Sequence, residues 1–202
     1  MLTHPSNCDL ITGLVLSGGR ATRMNNLDKG LQRLHGQRLI DLVLTRLRPQ
    51  IGTILINANR HIEEYAQTGH KVVADVRSDY PGPLAGLEAG LLHCHTPYLL
   101  VVPCDAPFLP ADLASRLLHA LEQQQAEIAI ACSGSAISPQ LQPVFCLLKS
   151  NHLPLLQAYL NLGGRKMAGW FGDLPMTQVF FPDERAFTNL NTMQDLQTFQ
   201  DQ

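Results

Sequence analysis

The sequence has 202 residues, of which 45% are hydrophobic and 16% are charged, and its formal net charge is −2. This composition supports a packed core and argues against a disordered chain, and the near-zero charge gives no global attraction to nucleic acid or to an anionic membrane. Because no apolar run is long enough to span a bilayer and the first residues do not resemble a signal peptide, we expect a cytoplasmic protein that binds neither nucleic acid nor membranes.

Short apolar, β-rich runs alternate with amphipathic stretches through the first two thirds of the chain. The predicted strands cover residues 11–16, 53–56, 71–74, 98–102 and 128–131. The predicted helices cover residues 39–47, 84–92 and 110–124, the last with leucines on one face. Apolar strands that alternate with helices are typical of a parallel sheet covered on both faces. The predicted fold class is therefore α/β, a three-layer αβα sandwich with a mostly parallel, Rossmann-like sheet.

The pattern loosens after Ser133. Residues 141–148 and 179–181 predict two further strands, and residues 153–160 predict a helix that ends near Gly163 and Gly164. Residues 193–199 predict a closing helix capped by Thr192. Since neither a repeat nor a linker divides the chain, we predict a single domain over residues 1–202.

Polar residues follow four of the predicted strands. Ser17 follows the first, Asn57 the second, Asp75 the third and Asp105 the fourth. Open parallel sheets bind ligands at the carboxyl ends of their strands, so we expect a ligand site at this edge. Any one of these residues alone could simply belong to a polar loop or cap a helix, so the interpretation depends on the four together.

The loop after the first strand combines two glycines with a dense run of cations. Residues 20–38 contain five of the fifteen Lys and Arg residues, namely Arg20, Arg23, Lys29, Arg33 and Arg38. Glycine amides can approach an anion closely and the cations can neutralise it, which predicts a phosphate site; the alternative is a solvated basic face. The loop matches neither a Walker A motif nor G-x-G-x-x-G, which disfavours kinases, GTPases and dehydrogenases.

Asp105 lies just beyond an apolar strand, where a carboxylate would face the predicted site. Magnesium prefers oxygen ligands and commonly takes one or two carboxylates together with substrate phosphates. We therefore expect Mg²⁺ as a cofactor, with Asp105 as its protein ligand. The alternative is that Asp105 caps the helix that begins near Pro110.

Together these residues resemble the molybdenum cofactor guanylyltransferase family, which uses GTP to attach GMP to molybdopterin. The leading motif of that family, a glycine pair followed by Arg-Met and Asp-Lys-Gly-Leu, is similar to residues 16–31, with Ser17 in place of alanine and Asn25-Asn26 in place of two glycines. Further matches are Asn-Ala-Asn-Arg at 57–60, Gly-Pro-Leu-Ala-Gly at 82–86, Pro-Cys-Asp at 103–105 and Asn-Leu-Asn-Thr at 189–192. The resemblance covers nearly the whole chain.

The resemblance also implies roles for individual residues. It places GTP against Leu16, Ser17, Gly18, Lys29, Asn57, Asp75 and Asp105, with Asp105 also holding Mg²⁺. The expected catalytic residues are Arg23, Lys29 and Asp105, of which the two cations offset the triphosphate charge. The molybdopterin side is assigned to Arg165, Lys166, Asn189 and Asn191; the first two could instead complement a helix end, and the asparagines could instead form an Asx-turn and cap.

The resulting expectation is transfer of GMP from GTP to the phosphate of molybdenum-molybdopterin, with release of pyrophosphate. Residues 10–132 would form the nucleotide-binding half of the domain and residues 133–202 the acceptor-side half. The alternatives are a cytidylyl- or sugar-phosphate nucleotidyltransferase, or a non-catalytic nucleotide-binding module for cofactor delivery. Expected partners are molybdenum-insertion proteins and apo-molybdoenzymes or their chaperones, and we expect the chain to be a monomer.

Overall fold

The computed structural model describes residues 7–17, 28–77, 82–135, 137–172 and 174–200. Its strands are β1 (Ile11–Leu16), β2 (Arg33–Leu34), β3 (Gln37–Arg38), β4 (Thr53–Asn57), β5 (Lys71–Val73), β6 (Tyr98–Pro103), β7 (Ile128–Ser135), β8 (Ser138–Lys149) and β9 (Met176–Phe180). Its α-helices are α1 (Leu39–Leu47), α2 (Ile62–Ala66), α3 (Pro83–His93), α4 (Leu113–Gln123), α5 (Leu153–Asn161), α6 (Met167–Phe171) and α7 (Met193–Gln200).

Seven of these strands form one sheet in the order β5-β4-β1-β6-β8-β7-β9. The pairs β1–β4, β1–β6, β4–β5 and β7–β9 are parallel, whereas β8 runs antiparallel to both β6 and β7. The predicted mostly parallel sheet is thus confirmed. Its one antiparallel strand arises because β7 and β8 are joined as a hairpin, which needs no crossover helix.

Two buried clusters, one on each face of the sheet, complete the predicted three layers. One cluster joins α1 and α4 to strand residues such as Val15, Ile56 and Val102. The other joins α3, α5 and α6 to alternate strand residues such as Leu14 and Val101. Because neighbouring strand residues point to opposite faces, an apolar strand needs helices on both sides.

A third, smaller cluster brings the end of the chain to the first loop region. Leu190, just before α7, and Leu196, within α7, pack with Leu34 of β2 and with Leu39 at the start of α1. The β2–β3 hairpin follows the predicted phosphate loop directly in sequence. Packing of α7 on this hairpin therefore carries residues 189–192 toward the edge where β1 ends.

Several elements differ from the sequence-based prediction. The helix predicted at 110–124 begins at Leu113, and the strand predicted at 179–181 is Met176–Phe180, in which Thr177 and Val179 are buried. The helices α2 and α6 were not predicted, because five residues are too few to show helical periodicity. None of the helices in the described ranges is long and apolar enough to cross a bilayer.

Candidate functional site

The carboxyl ends of β1, β4, β5 and β6 lie level with one another. Leu16 is in register with Asn57 on one side and with Pro103 on the other. The Ser17 N–H donates to the Asn57 carbonyl at 2.8 Å, and the Cys104 N–H donates to the Leu16 carbonyl at 3.0 Å. The residues that follow these strands, Ser17, Asn57, Asp75 and Asp105, therefore line a single edge, which we call the rim.

A network of amides holds Asp75 at one end of the rim. Buried Asn57 donates its Nδ2 to the Val73 carbonyl at 3.2 Å and to Asp75 Oδ1 at 2.8 Å. Asn59 donates its Nδ2 to Asp75 Oδ2 at 2.7 Å and accepts the Asp75 N–H at 2.8 Å. Each carboxylate oxygen has more than one acceptor site, so an oriented Asp75 can still accept hydrogen bonds from a ligand.

Gly86 explains how α3 reaches this network. A Cβ atom at Gly86 would collide with the Asn57 side chain and with Leu16. Only glycine therefore allows the first turn of α3 to pack directly on the rim. Gly82, just before the helix, has a φ of +151°, a region that favours glycine. The glycines of the 82–86 motif thus have structural reasons independent of any ligand.

Lys29 and Asp105 form an ion pair at the other end of the rim. The Lys29 Nζ donates to Asp105 Oδ2 at 3.1 Å and also to Asn191 Oδ1. Asp105 is held in turn from the backbone, because its carbonyl accepts the Leu190 N–H at 2.8 Å. Three distant segments of the chain therefore meet at one ammonium group, and described residues occupy two of its three N–H donors.

Asn191 sits at the start of a well-formed helix cap. The Asp195 carboxylate accepts the N–H groups of Asn191 at 2.9 Å and Thr192 at 2.8 Å, and the Asp195 N–H donates to Thr192 Oγ1 at 3.0 Å. This reciprocal pattern is a capping box, here with Asp in the fourth position, and it confirms Thr192 as the cap of α7. Asn191 also donates to the Asn189 carbonyl, and the buried Asn189 Oδ1 has no hydrogen-bond partner in the part of the chain that the structure describes.

Arg165 and Lys166 lie in a different segment, between α5 and α6. Arg165 donates to the carbonyls of Gly164 at 2.8 Å and Leu160 at 3.4 Å, at the C-terminal end of α5. Lys166 is exposed and immediately precedes α6. Arg165 therefore shows the helix-end arrangement considered as the alternative, whereas Lys166 lies at the N-terminus of α6, and the assignment of both residues to molybdopterin stays a prediction.

Gly18 and Arg23 fall in residues 18–27, outside the described residues, so their predicted roles have no structural description. Two later cations of the basic run are engaged locally. Arg33 donates to the Gly36 carbonyl, and Arg38 forms two hydrogen bonds with Asp41, which raise the pKa of Arg38. The part of the run that reaches the rim in the described residues is Lys29.

A buried ion pair that was not predicted from the sequence joins Arg77 to Glu88. Arg77 donates to Glu88 Oε2 at 2.9 Å and Oε1 at 3.2 Å, and to Asn161 Oδ1 at 2.7 Å. The Glu88 side chain is only 1% exposed. The pair fastens the segment after Asp75 to α3 and α5. A single glutamate inside the otherwise apolar helix 83–92 was the available signal.

Two properties of this site bear on metal binding. The Asp105 side chain is 9% exposed and presents a carboxylate beside a cation. Among the described residues there is no group of three or more His, Cys, Asp or Glu side chains placed to hold a metal. The Asp105 carboxylate is an oxygen donor of the kind that could ligate a cation whose remaining ligands are substrate oxygens and water, as for Mg²⁺.

Comparisons with known proteins are consistent with this geometry. Residues 13–174 match the model of the MobA-like NTP transferase domain. The chain is 46% identical to a molybdenum cofactor guanylyltransferase of Cupriavidus necator, covering 94% of this chain and 96% of that protein. It is 46% identical to the Bordetella pertussis protein of the same name, again over 94% and 96%.

Solved structures share the fold at lower identity. Molybdopterin-guanine dinucleotide biosynthesis protein A from Archaeoglobus fulgidus superposes with a TM-score of 0.73 at 21% identity, over 94% of this chain and 97% of that one. A 4-diphosphocytidyl-2C-methyl-D-erythritol synthase from Anaerococcus prevotii superposes with a TM-score of 0.76 at 12% identity, over 96% of both chains. At these identities the likeness bears on the fold alone.

Proposed function

The chain belongs to the molybdenum cofactor guanylyltransferase family, and from that membership we propose that it transfers GMP from GTP to the phosphate of molybdenum-molybdopterin. Pyrophosphate is released, and the product is the guanine dinucleotide form of the cofactor. The observation that carries the proposal is the Lys29–Asp105 ion pair, set on the same rim as Asn57 and Asp75.

The Asn57–Asp75 end of the rim suits the nucleoside part of GTP. Asp75 is fixed by two amide side chains and offers carboxylate oxygens to N–H or O–H donors. A preorganised acceptor of this kind binds without first having to be ordered, which favours affinity. Leu16 and Ser17, at the end of β1 and beside Asn57, are proposed to contact the same ligand.

The Lys29–Asp105 end suits the triphosphate. The Lys29 ammonium is a point charge that offsets phosphate charge, and Asp105 would hold Mg²⁺. When bound, Mg²⁺ neutralises charge on the phosphate oxygens and withdraws electron density from phosphorus. Arg23, which lies between Ser17 and Asp28 in the sequence, is proposed to supply a further positive charge.

The reaction depends on the alignment of the two substrates and does not require proton transfer by the protein. A terminal phosphate oxygen of molybdopterin forms a bond to the α-phosphorus of GTP while the α–β bridging bond breaks and pyrophosphate leaves. A phosphate is largely ionised at neutral pH and needs no general base. The contribution of this chain is therefore to align the two substrates and to offset their charge. The contact of Asn191 with Lys29 supports this proposal, because residues 133–202 are the proposed acceptor-side half.

Pyrophosphate release tests this proposal. With GTP, Mg²⁺ and molybdopterin present together, the chain should release pyrophosphate, and omission of any one should stop it. Replacement of GTP by CTP or UTP separates guanylyl transfer from a cytidylyl- or sugar-phosphate nucleotidyltransferase. GTP binding without pyrophosphate release would contradict the proposal and support a cofactor-delivery module. A cytoplasmic location, a monomeric state, and molybdenum-insertion proteins, apo-molybdoenzymes or their chaperones as partners remain predictions.

A further inference from the structure

We propose that Tyr65 is a positioning residue for the transfer reaction, because its buried hydroxyl anchors Asp28 and so places Lys29 against Asp105. The inference rests on the proposed function, since its main consequence concerns turnover. Tyr65 lies on α2, which follows the 57–60 segment of the rim, and it is the one buried residue of that short helix. The link would thus tie the nucleoside end of the rim to its phosphate end.

The hydroxyl contact is direct. The Tyr65 Oη donates to Asp28 Oδ1 at 2.5 Å, and the Tyr65 side chain is fully buried. Asp28 immediately precedes Lys29 and is the first described residue after the glycine-rich loop. A buried hydroxyl is costly unless it is hydrogen-bonded, so the position of Asp28 is coupled to that of the ring.

A second contact fixes the other side of Lys29. A Cβ atom at Gly30 would lie 2.5 Å from the Tyr65 hydroxyl oxygen and 3.2 Å from the Cys104 Sγ, so the Gly30 backbone packs against both side chains. Cys104 in turn directly precedes Asp105. The ring end of Tyr65 therefore contacts the residues on both sides of Lys29 and lies beside the residue preceding Asp105. One side chain thereby supports both members of the ion pair.

The chemistry of this junction keeps the contact constant over the working pH range. Burial raises the pKa of Tyr65 far above its usual value of 10, and the nearby Cys104 and Asp28 raise it further. The hydroxyl therefore stays a donor. Lys29 itself has a long, flexible stem, so fixing its backbone is what limits where the ammonium can go.

Tyr65→Phe removes the hydroxyl and keeps the ring. We expect kcat for pyrophosphate release to fall roughly 10- to 100-fold, because small displacements of catalytic groups cause rate losses of this size. The KM for GTP should change little. Asp28→Asn keeps an acceptor for the hydroxyl and should retain most activity, whereas Asp28→Ala should lose it. In the Asp28→Ala background, Tyr65→Phe should add no further loss, because the two residues act through one bond.

A spectroscopic measurement reports the position of Lys29 without turnover. The chain has four lysines, so the ¹³Cε resonance of Lys29 can be assigned in lysine-labelled protein with a Lys29→Arg variant. Tyr65→Phe and Asp28→Ala should shift this resonance, and Asp28→Asn should not. Tyr98→Phe is the matched control, because the Tyr98 hydroxyl bonds only weakly to Glu122 at 3.4 Å near the surface.

The outcomes separate this inference from the proposed function. A Tyr65→Phe variant with wild-type kcat and an unmoved Lys29 resonance would overturn the inference. A loss of kcat that Asp28→Asn shares in full, with the resonance unmoved, would also overturn it, because the loss would then not come from a displaced Lys29. If the wild-type chain releases no pyrophosphate, the proposed function fails, and the Lys29 resonance still decides whether Tyr65 positions that residue.

Discussion

The Nζ of Lys29 lies 3.1 Å from Oδ2 of Asp105, although 76 residues separate them in the chain. Neither residue belongs to a strand or an α-helix: Lys29 begins a short 3₁₀ helix (Lys29–Leu31), and Asp105 lies just after β6. An ion pair built this way is partly open to solvent on the lysine side, where a substrate phosphate could enter. Its contribution to folding should accordingly be small.

Lys29→Ala should therefore leave the fold intact and remove most activity. We expect kcat to fall on the order of 10²–10³-fold, because a charge that stabilises the transition state is lost. Lys71→Ala is the control, since Lys71 is an exposed lysine of β5. Steady-state kinetics and thermal melting of both variants check this prediction. Wild-type turnover in the Lys29 variant would contradict its assigned role.

Asp105→Asn should weaken the binding of Mg²⁺ in the reaction. The substitution keeps the shape of the side chain but removes the charge that favours a divalent cation. We expect a lower maximal rate and a higher Mg²⁺ concentration for half-maximal rate, measured by titrating Mg²⁺ at saturating GTP. Removal of the metal from the wild-type reaction with EDTA should abolish turnover, and Mg²⁺ should restore it. A reaction indifferent to EDTA would rule out the proposed metal.

Asp75→Ala should act mainly on GTP affinity. The substitution removes a preorganised acceptor, together with the hydrogen bonds that the Asn57 and Asn59 side chains donate to its carboxylate. Hydrogen bonds to a charged group are worth about 1.5–3 kcal/mol, which corresponds to a rise in Kd of roughly 10- to 150-fold. Calorimetric titration with GTP measures this directly. An unchanged Kd would place the nucleoside elsewhere.

Arg77→Ala should destabilise the fold by leaving the Glu88 carboxylate buried without its cation. Breaking one side of a buried pair costs roughly 3 kcal/mol, which in a protein of this size lowers Tm by about 6–12 °C. Adding Glu88→Gln to this variant removes the unpaired charge and should recover part of the loss. The two melting temperatures check the prediction, which would be wrong if the double variant were no more stable than the single one.

Ionisation of Glu127 should stabilise the fold at neutral pH, and this stabilisation should be lost in acid. Its hydrogen bond from Lys149 at 2.7 Å, and that from His152, lower the pKa of Glu127 in the folded state. A lowered carboxylate pKa stabilises the fold above the usual glutamate pKa of 4.5, and the stabilisation is lost as pH falls below that value. Glu127→Gln should therefore lower Tm at neutral pH by an amount worth less than about 1 kcal/mol.

Melting curves of both proteins across the acid range check this dependence. The difference between wild type and variant should shrink as pH falls below 4.5. A difference that stays constant with pH would show that the ionisation of Glu127 does not contribute.

The parallel part of the fold could be predicted because its strands are apolar and sharply bounded. Residues 11–16 are buried throughout, and the structure gives the same bounds. The beginning of β8 was harder to predict, because residues 138–140, which precede the predicted strand at 141–148, are exposed and carry little burial signal. The antiparallel direction of β8 depends on the hairpin with β7, which its apolar run at 144–148 does not reveal.

The rim could be predicted for a topological reason, since residues after parallel strands share an edge. What the sequence could not show is which distant residues complete it. Asn191 reaches Lys29 only because α7 packs on the β2–β3 hairpin, and that hairpin is too short to be predicted. Tyr65 lies on a five-residue helix with no periodic pattern, so its contact with Asp28 has no counterpart in the sequence.

Following the phosphorus atoms of GTP distinguishes nucleotidyl transfer from hydrolysis and from binding alone. Wild-type chain would be incubated with Mg²⁺, molybdopterin and GTP labelled with ³²P at either the α or the γ position. Nucleotidyl transfer predicts that the α label appears in a molybdopterin–guanine dinucleotide and the γ label in pyrophosphate, in equal amounts. Bound GTP that keeps both labels, or γ label recovered as inorganic phosphate or on molybdopterin, would contradict the account.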